Sequence, residues 1–143
     1  MVELRPALSR GPAMKQDNQT NPAAIIAVVD DDDSVRTALE SLLRSSGYKA
    51  RTYCSALEFL NANACAEIHC LISDIQMPGM SGVEMHEHLV AKGIHIPTIF
   101  ITAYPALAPQ PGANSSGPVA CLPKPFEAGT LLSCIESALL LRH

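Results

Sequence analysis

Carboxylate side chains follow two apolar runs of the sequence, at the point where each run ends. Four aspartates, at positions 30–33, come directly after "IIAVV", and Asp74 comes directly after "IHCLIS". Two such runs lying side by side would bring these carboxylates into one crevice, where they repel one another unless a cation binds. An all-oxygen set of two or three carboxylates with space for water suits Mg²⁺. We therefore predict a magnesium site that includes Asp30, Asp31 and Asp74.

The second half of the aspartate run has another explanation. Asp32 and Asp33 precede Ser34 at the start of a predicted helix. At such positions acidic side chains accept hydrogen bonds from unpaired backbone N–H groups and oppose the helix dipole. We favour this capping role for Asp32 and Asp33, whereas Asp30 and Asp31 belong to the strand end and are the predicted metal ligands.

A hydroxyl and an ammonium group stand at two further strand ends. Thr102 ends the run "PTIFIT", and Lys124 follows the run "VACL". Both side chains donate hydrogen bonds to anions, so beside a metal ion they suit the oxygens of a phosphoryl group. Thr102 alone would be explained as a β-branched strand residue. Its combination with the aspartates and the lysine predicts a phosphoryl-binding site.

Short apolar runs alternate with helical periods along the chain and determine where these side chains lie. Strands are predicted at 25–29, 49–53, 68–73, 97–102 and 119–122, and helices after the first, second, third and fifth of them. This alternation gives an α/β fold with a parallel sheet covered by helices on both faces. In such a sheet the functional groups gather at the carboxyl ends of the strands. The length of 143 residues suits one domain of this kind.

The segment "YPALAPQPGANSSGP" at 104–118 stands where the alternation requires a helix between the fourth and fifth strands. Prolines and a glycine fall in its middle, and in a helix interior a proline costs about 3 kcal/mol and a glycine about 1 kcal/mol. The segment lies between Thr102 and Lys124, which must meet in one crevice, so it does not link two domains. We predict a loop or irregular turns from 105 to 118, with the fourth helix disrupted or missing.

Composition argues against several classes of function. The net charge of −4 and the ten scattered lysines and arginines argue against nucleic-acid binding. No apolar run reaches the roughly 20 residues of a membrane span.

Five cysteines without a CxxC pair are typical of reduced, mostly buried thiols in a cytosolic protein. Residues 1–24 are predicted to be a disordered arm and not a secretory signal. We therefore expect a cytoplasmic protein without membrane or nucleic-acid partners.

Four motifs, in this order and with this spacing, resemble the receiver domain of the two-component response regulators. They are "VVDDDDSVR" with the acidic pair, "LISDIQMPGMSGVE" with the phosphoacceptor loop, "IFITAY" with the hydroxyl strand and "KPF" with the lysine. The resemblance covers residues 25–143. It implies a flavodoxin-like, doubly wound α/β fold with a five-stranded parallel sheet in the order 2-1-3-4-5.

The resemblance also implies a role for the residues around the phosphoryl group. Asp74 would accept this group from a phosphohistidine on a histidine kinase or a phosphotransfer protein. Thr102 and Lys124 would bind the phosphoryl oxygens. The Lys124–Pro125 peptide bond is expected to be cis, as it is in the family.

For the metal, the resemblance implies four protein groups. Asp31 and Asp74 would bind Mg²⁺ directly, Gln76 would contribute its backbone carbonyl, and Asp30 would act mainly through water. A domain of this kind is a signalling phosphoacceptor, which catalyses only its own phosphorylation and dephosphorylation and is not an enzyme acting on a separate substrate.

Two features depart from the usual family pattern on the side that carries the output. The segment 104–118 takes the place of the fourth helix, and Cys121 stands on the fifth strand where the family usually has Tyr or Phe. Only Arg142 and His143 follow the last predicted helix, so we expect a stand-alone receiver. It would signal by phosphorylation-dependent binding to an unidentified protein, or drain a kinase as a phosphate sink.

Two alternatives stay open on the sequence alone. A receiver-like binding module that no longer switches would hold a partner through 104–118 with or without phosphate. A phosphatase of the haloacid dehalogenase type also uses a strand-end aspartate as nucleophile, and "DDDDS" imitates its DxDx(T/S) motif with Asp30 in the first place. That family needs a second acidic pair after its lysine, whereas only two isolated glutamates follow Lys124.

Overall fold

The computed structural model describes residues 23–104, 106 and 119–140. In this part of the chain the strands are β1 (Ile25–Val29), β2 (Lys49–Tyr53), β3 (Cys70–Asp74), β4 (Thr98–Thr102) and β5 (Ala120–Pro123). The helices are α1 (Asp33–Ser45), α2 (Ala56–Asn61), α3 (Gly82–Ala91) and α4 (Ala128–Leu140), and a 3₁₀ turn covers Cys65–Glu67. The third strand starts two residues later than predicted and includes Asp74, and the other strands lie within one residue of their predicted bounds.

The five strands form one parallel sheet in the order β2-β1-β3-β4-β5. This confirms the predicted 2-1-3-4-5 order. The register pairs Val29 of β1 with Ser73 of β3, and Thr102 of β4 with Pro123 of the outermost strand β5. Because all strands run in the same direction, the residues that follow them lie together at the carboxyl end of the sheet.

Helices cover both faces of the sheet because alternate strand residues point to opposite sides. On one face α1 and α4 pack over side chains that include Val28, Ile72 and Ile101. On the other face α2 and α3 pack over side chains that include Ala27 and Leu71. Every residue of β3 and β4 is buried. These two strands therefore form a well-packed support for the polar residues at their ends.

Two helices begin beside the strand ends and are held there by caps. The Asp32 side chain accepts hydrogen bonds from the backbone N–H groups of Ser34 and Val35 at the start of α1, as expected of a capping aspartate. Ser81 and Glu84 form a capping box at the start of α3, in which each side chain accepts a hydrogen bond from the other residue's backbone N–H. The caps fix where both helices leave the loops that follow β1 and β3.

The cysteines are less buried than their residue type indicates. Cys70 is buried on β3, and this burial raises the pKa of its thiol to about 12. Cys54 is exposed, and Cys65, Cys121 and Cys134 are partly buried. The prediction of mostly buried thiols is wrong because these four residues lie outside the central strands, in a loop, the 3₁₀ turn, the edge strand and α4.

Two predictions concern residues outside the described ranges. The first is the disordered arm at 1–24, of which only the last two residues are described. The second is the loss of the helix between β4 and β5, predicted at 105–118, of which only Ala106 is described. Within the described ranges, no helix is long and apolar enough to cross a membrane.

Candidate functional site

Asp30 follows β1, and all four of its polar atoms are hydrogen-bonded. Its backbone N–H donates to the carbonyl oxygen of Tyr53 (3.2 Å), and its backbone carbonyl oxygen accepts from the Arg36 guanidinium (2.6 Å). Its Oδ1 accepts from the backbone N–H of Asp32 (2.9 Å), and its Oδ2 accepts from Lys124 Nζ (3.0 Å). Asp30 is only 2% exposed. Its carboxylate is therefore fixed in one orientation in the interior.

Three carboxylates converge at this edge of the sheet. Asp30, Asp31 and Asp74 each present one oxygen, and these oxygens lie within 4.8 Å of one another. Asp31 is exposed and the other two are buried. In the described ranges this is the only group of three or more acidic, histidine or cysteine side chains close enough to share a metal ion. The all-oxygen set fits a hard cation, so the structure brings together the three aspartates predicted to bind Mg²⁺.

Asp74 ends β3 and is 7% exposed. Its Oδ1 lies 3.4 Å from the backbone nitrogen of Gln76, and its Oδ2 lies 3.3 Å from Lys124 Nζ. Its backbone carbonyl oxygen accepts a hydrogen bond from Ser73 Oγ (2.8 Å). Burial and the nearby charge of Asp30 raise the pKa of the Asp74 carboxyl, and Lys124 offsets only part of this effect. The charged carboxylate is therefore poorly solvated, a condition that a bound cation would relieve.

Lys124 reaches from the end of β5 to two of the carboxylates. Its Nζ lies 3.0 Å from Asp30 Oδ2 and 3.3 Å from Asp74 Oδ2. Burial disfavours the ammonium, but hydrogen bonds and attraction from Asp30 and Asp74 outweigh burial and raise the pKa of Lys124. The amine therefore stays protonated at neutral pH. The Lys124–Pro125 peptide bond is cis, as the resemblance implies.

Thr102 lies buried at the end of β4, beside Lys124. Its backbone carbonyl oxygen accepts from the backbone N–H of Lys124 (2.8 Å). Its Oγ1 accepts from the backbone N–H of Tyr104 (2.9 Å), which leaves the hydroxyl hydrogen available for another acceptor. The backbone N–H of Gln76 points to Asp74, and the use of the Gln76 carbonyl as a metal ligand stays a prediction.

Arg36 belongs to the site, although the sequence pattern gives no role for it. Its guanidinium donates to the Asp30 carbonyl oxygen and pairs with the Asp33 carboxylate, and its side chain is 17% exposed. The i,i+3 spacing of Asp33 and Arg36 on a helix could have indicated the ion pair. The contact with Asp30 comes from the turn before the helix, and spacing within the helix does not show it.

Replacing Lys124 by methionine is expected to destabilise the metal-free protein by roughly 1–3 kcal/mol, because two buried carboxylates lose their shared cation. Urea unfolding in EDTA measures this loss. Added Mg²⁺ should stabilise the variant more than the wild type, because the ion compensates carboxylates that the ammonium no longer neutralises.

Arg44→Met is the matched control for this variant. It removes a cation from the exposed pair with Glu40 (2.9 Å) at the far end of α1, which should change the unfolding free energy by less than about 1 kcal/mol. An equal loss of stability in the two variants would contradict the assigned role of Lys124.

Curated proteins that resemble this chain are response regulators. Residues 26–136 match the family model of the response regulator receiver domain. Response regulator protein TmoT of Ectopseudomonas mendocina is 38% identical over 118 residues, which cover 82% of this chain and 54% of that protein. Transcriptional regulatory protein FixJ of Azorhizobium caulinodans is 34% identical over 114 residues, which cover 80% of this chain and 54% of that protein. The chain thus spans about half the length of the curated relatives it matches.

Solved structures of response regulators are also similar to this chain. The response regulator StyR has a TM-score of 0.77 and 42% identity, over 84% of this chain and 61% of that chain. Response regulator TrrA of Thermotoga maritima, solved in complex with Mg²⁺ and BeF, has a TM-score of 0.70 and 28% identity, over 81% of this chain and 99% of that chain. The residues matched by the family model, 26–136, include every residue of the candidate site.

Proposed function

This chain belongs to the receiver domains of the response regulators, and we propose that it takes up a phosphoryl group on Asp74. The donor would be a phosphohistidine on a histidine kinase or a phosphotransfer protein, and the receiver unit would span residues 25–143. The observation that carries the proposal is the convergence of three carboxylates with Lys124, whose Nζ lies 3.3 Å from Asp74 Oδ2.

The transfer requires one bond to form and one to break. An Asp74 carboxylate oxygen bonds to phosphorus while the bond between phosphorus and the donor nitrogen breaks. Lys124, which already lies beside Asp74, would bind one phosphoryl oxygen, and the available hydroxyl hydrogen of Thr102 would bind another. In such transfers the protein contributes mainly by positioning the reactants and by stabilising the developing charge.

The aspartates of the site fit Mg²⁺ by donor type and by proximity. Asp31, Asp74 and the backbone carbonyl of Gln76 would hold the ion directly, and Asp30 would act mainly through water. When bound, the ion offsets negative charge that gathers on the phosphoryl group. The buried Asp30 is already hydrogen-bonded through both carboxylate oxygens, which supports a role for it through water and not as a direct metal ligand.

A phosphatase of the haloacid dehalogenase type fits the structure less well. Its nucleophile would be Asp30, which is 2% exposed and donates or accepts a hydrogen bond through every polar atom. The second acid of its motif would be Asp32, whose side chain caps α1. Phosphoryl uptake on Asp74 is therefore the better explanation of the site.

The signal would leave the domain by phosphorylation-dependent binding to another protein, or the chain would drain a kinase as a phosphate sink. Among the relatives, FixJ is named a transcriptional regulatory protein, and NtrC of Escherichia coli a DNA-binding transcriptional regulator. A link to gene regulation is therefore a second candidate for the output, and the stand-alone receiver stays a prediction. Equal affinity for a partner with and without phosphorylation would favour the non-switching binding module.

Incubation with acetyl phosphate and Mg²⁺ tests the proposed uptake. We expect intact-protein mass spectrometry to show the addition of one phosphoryl group, and we expect EDTA to prevent it because the repelling carboxylates lose their cation. A wild-type mass that does not change in the presence of Mg²⁺ would count against the proposal.

A further inference from the structure

We propose that Arg36 is a positioning residue for the metal site, which holds the acidic turn (residues 30–33) in the conformation that binds Mg²⁺. This inference rests on the proposed function of the site. Arg36 itself would touch neither the metal nor the phosphoryl group, and would act through the backbone of Asp30 and the side chain of Asp33.

The guanidinium of Arg36 contacts both ends of the acidic turn. One of its nitrogens donates to the backbone carbonyl oxygen of Asp30 (2.6 Å), and another pairs with the carboxylate of Asp33. Its planar fork of donors can make both contacts at once. The Arg36 side chain is 17% exposed and that of Asp33 is 89% exposed, so the contact with Asp30 is the more shielded of the two.

The contact with Asp30 controls the direction in which Asp31 leaves the strand. The carbonyl group of Asp30 is part of the rigid peptide plane that joins it to Asp31. A hydrogen bond that fixes this carbonyl therefore restricts the rotation of that plane. Asp32 is held as well, because its backbone N–H donates to Asp30 Oδ1 (2.9 Å) and its side chain caps α1. Asp31 is thus fixed on both sides and presents its exposed carboxylate to the shared cluster.

The charge of Arg36 and its positioning act on cation binding with opposite signs. A positive charge beside the acidic turn repels Mg²⁺, whereas an ordered turn lowers the entropic cost of gathering the ligands. Asp33 is 89% exposed and forms an ion pair with Arg36, so much of the guanidinium charge is already neutralised. We infer that positioning is the larger effect and that loss of Arg36 weakens Mg²⁺ binding.

Isothermal titration of the full chain with Mg²⁺ separates the two effects. Arg36→Met removes the charge and the donors but keeps most of the apolar stem. We expect it to weaken Mg²⁺ binding about tenfold, as residues that orient metal ligands commonly do. Arg36→Lys keeps the charge and one donor, and should weaken binding less. Arg44→Met, which removes an equal charge from the same helix away from the site, should bind Mg²⁺ like the wild type.

Amide hydrogen exchange in the metal-free protein gives a second readout. The backbone N–H of Asp32 is bonded to Asp30 Oδ1, and its exchange should be faster in Arg36→Met but unchanged in Arg44→Met. If Arg36→Met does not fold, Arg36→Lys becomes the test variant. Weaker Mg²⁺ binding than in the wild type supports the inference, and unchanged binding contradicts it. A wild type that binds no Mg²⁺ would overturn both the proposed function and this inference. Normal binding by the wild type, with equal or tighter binding by Arg36→Met, would overturn the inference alone.

Discussion

Asp74→Asn is expected to abolish phosphoryl uptake and at the same time to stabilise the fold. Asparagine keeps the shape of the side chain but lacks the anionic oxygen that attacks phosphorus. It also removes a carboxyl group whose pKa is raised by burial and by Asp30, which means that folding disfavours its charged form. We expect no detectable label from acetyl phosphate, and in EDTA a melting temperature a few degrees higher than that of the wild type.

The gain in stability has a defined dependence on pH. Because the pKa of Asp74 is raised in the folded state, the wild type loses stability relative to the variant as the pH rises through that pKa. The two proteins should become similar as the pH falls below the pKa of the unfolded carboxyl. Unfolding free energies of both proteins over a series of pH values test this. A variant less stable than the wild type at neutral pH would contradict the assigned electrostatics.

Glu40→Gln is the control for the labelling. It removes a partly exposed carboxylate that pairs with Arg44 (2.9 Å) on α1 and has no place in the site. This variant should take up the phosphoryl group like the wild type. Equal labelling of Asp74→Asn would show that another residue is the acceptor.

Gly82→Ala should destabilise the protein by about 3 kcal/mol, although alanine is the better helix former by about 1 kcal/mol. A Cβ on Gly82 would lie 2.1 Å from the backbone carbonyl oxygen of Asp74 and 2.8 Å from Ser73 Oγ. The backbone of Gly82 cannot simply move away, because its N–H donates to the carbonyl oxygen of Ile75 (3.0 Å). The clash therefore displaces the end of β3, and with it Asp74.

Displacement of Asp74 should also slow phosphoryl uptake, by about 100-fold for a shift near 1 Å. Gly129→Ala is the matched control, because a Cβ at this position in the first turn of α4 meets no atom within 4 Å. It should leave uptake unchanged and stabilise the protein by up to about 1 kcal/mol. Chemical unfolding and the rate of labelling measure both effects. A folded Gly82→Ala protein with wild-type stability and rate would show that the contact with Asp74 is not tight.

Much of the site could be predicted because its residues stand at strand ends. Apolar runs followed by Asp30, Asp74, Thr102 and Lys124 place those residues at one edge of any parallel sheet, and the structure brings three of them into direct contact. The order of the strands does not follow from periodicity, because each buried strand has the same apolar character. The resemblance to receivers predicts that order, and the structure confirms it.

The parts that were missed depend on contacts between distant or irregular segments. The clamp of Arg36 on the Asp30 carbonyl is a side-chain contact with the backbone of a turn, and residue types do not encode the orientation of a peptide plane. The fit of Gly82 against Asp74 depends on how α3 leaves the loop after β3. The cysteine prediction fails for a related reason. Cysteine is often buried, but Cys54 and Cys134 lie outside the central strands, and residue type alone does not show this.

The direct test of Asp74 as phosphoacceptor is to locate the phosphoryl group on the chain. After incubation with acetyl phosphate and Mg²⁺, reduction with borohydride converts an aspartyl phosphate to homoserine, and peptide mass spectrometry identifies the converted residue. We predict conversion at Asp74 alone, and none when EDTA replaces Mg²⁺. Conversion at Asp30 or at any other residue, or no conversion in the presence of Mg²⁺, would contradict the assignment of Asp74.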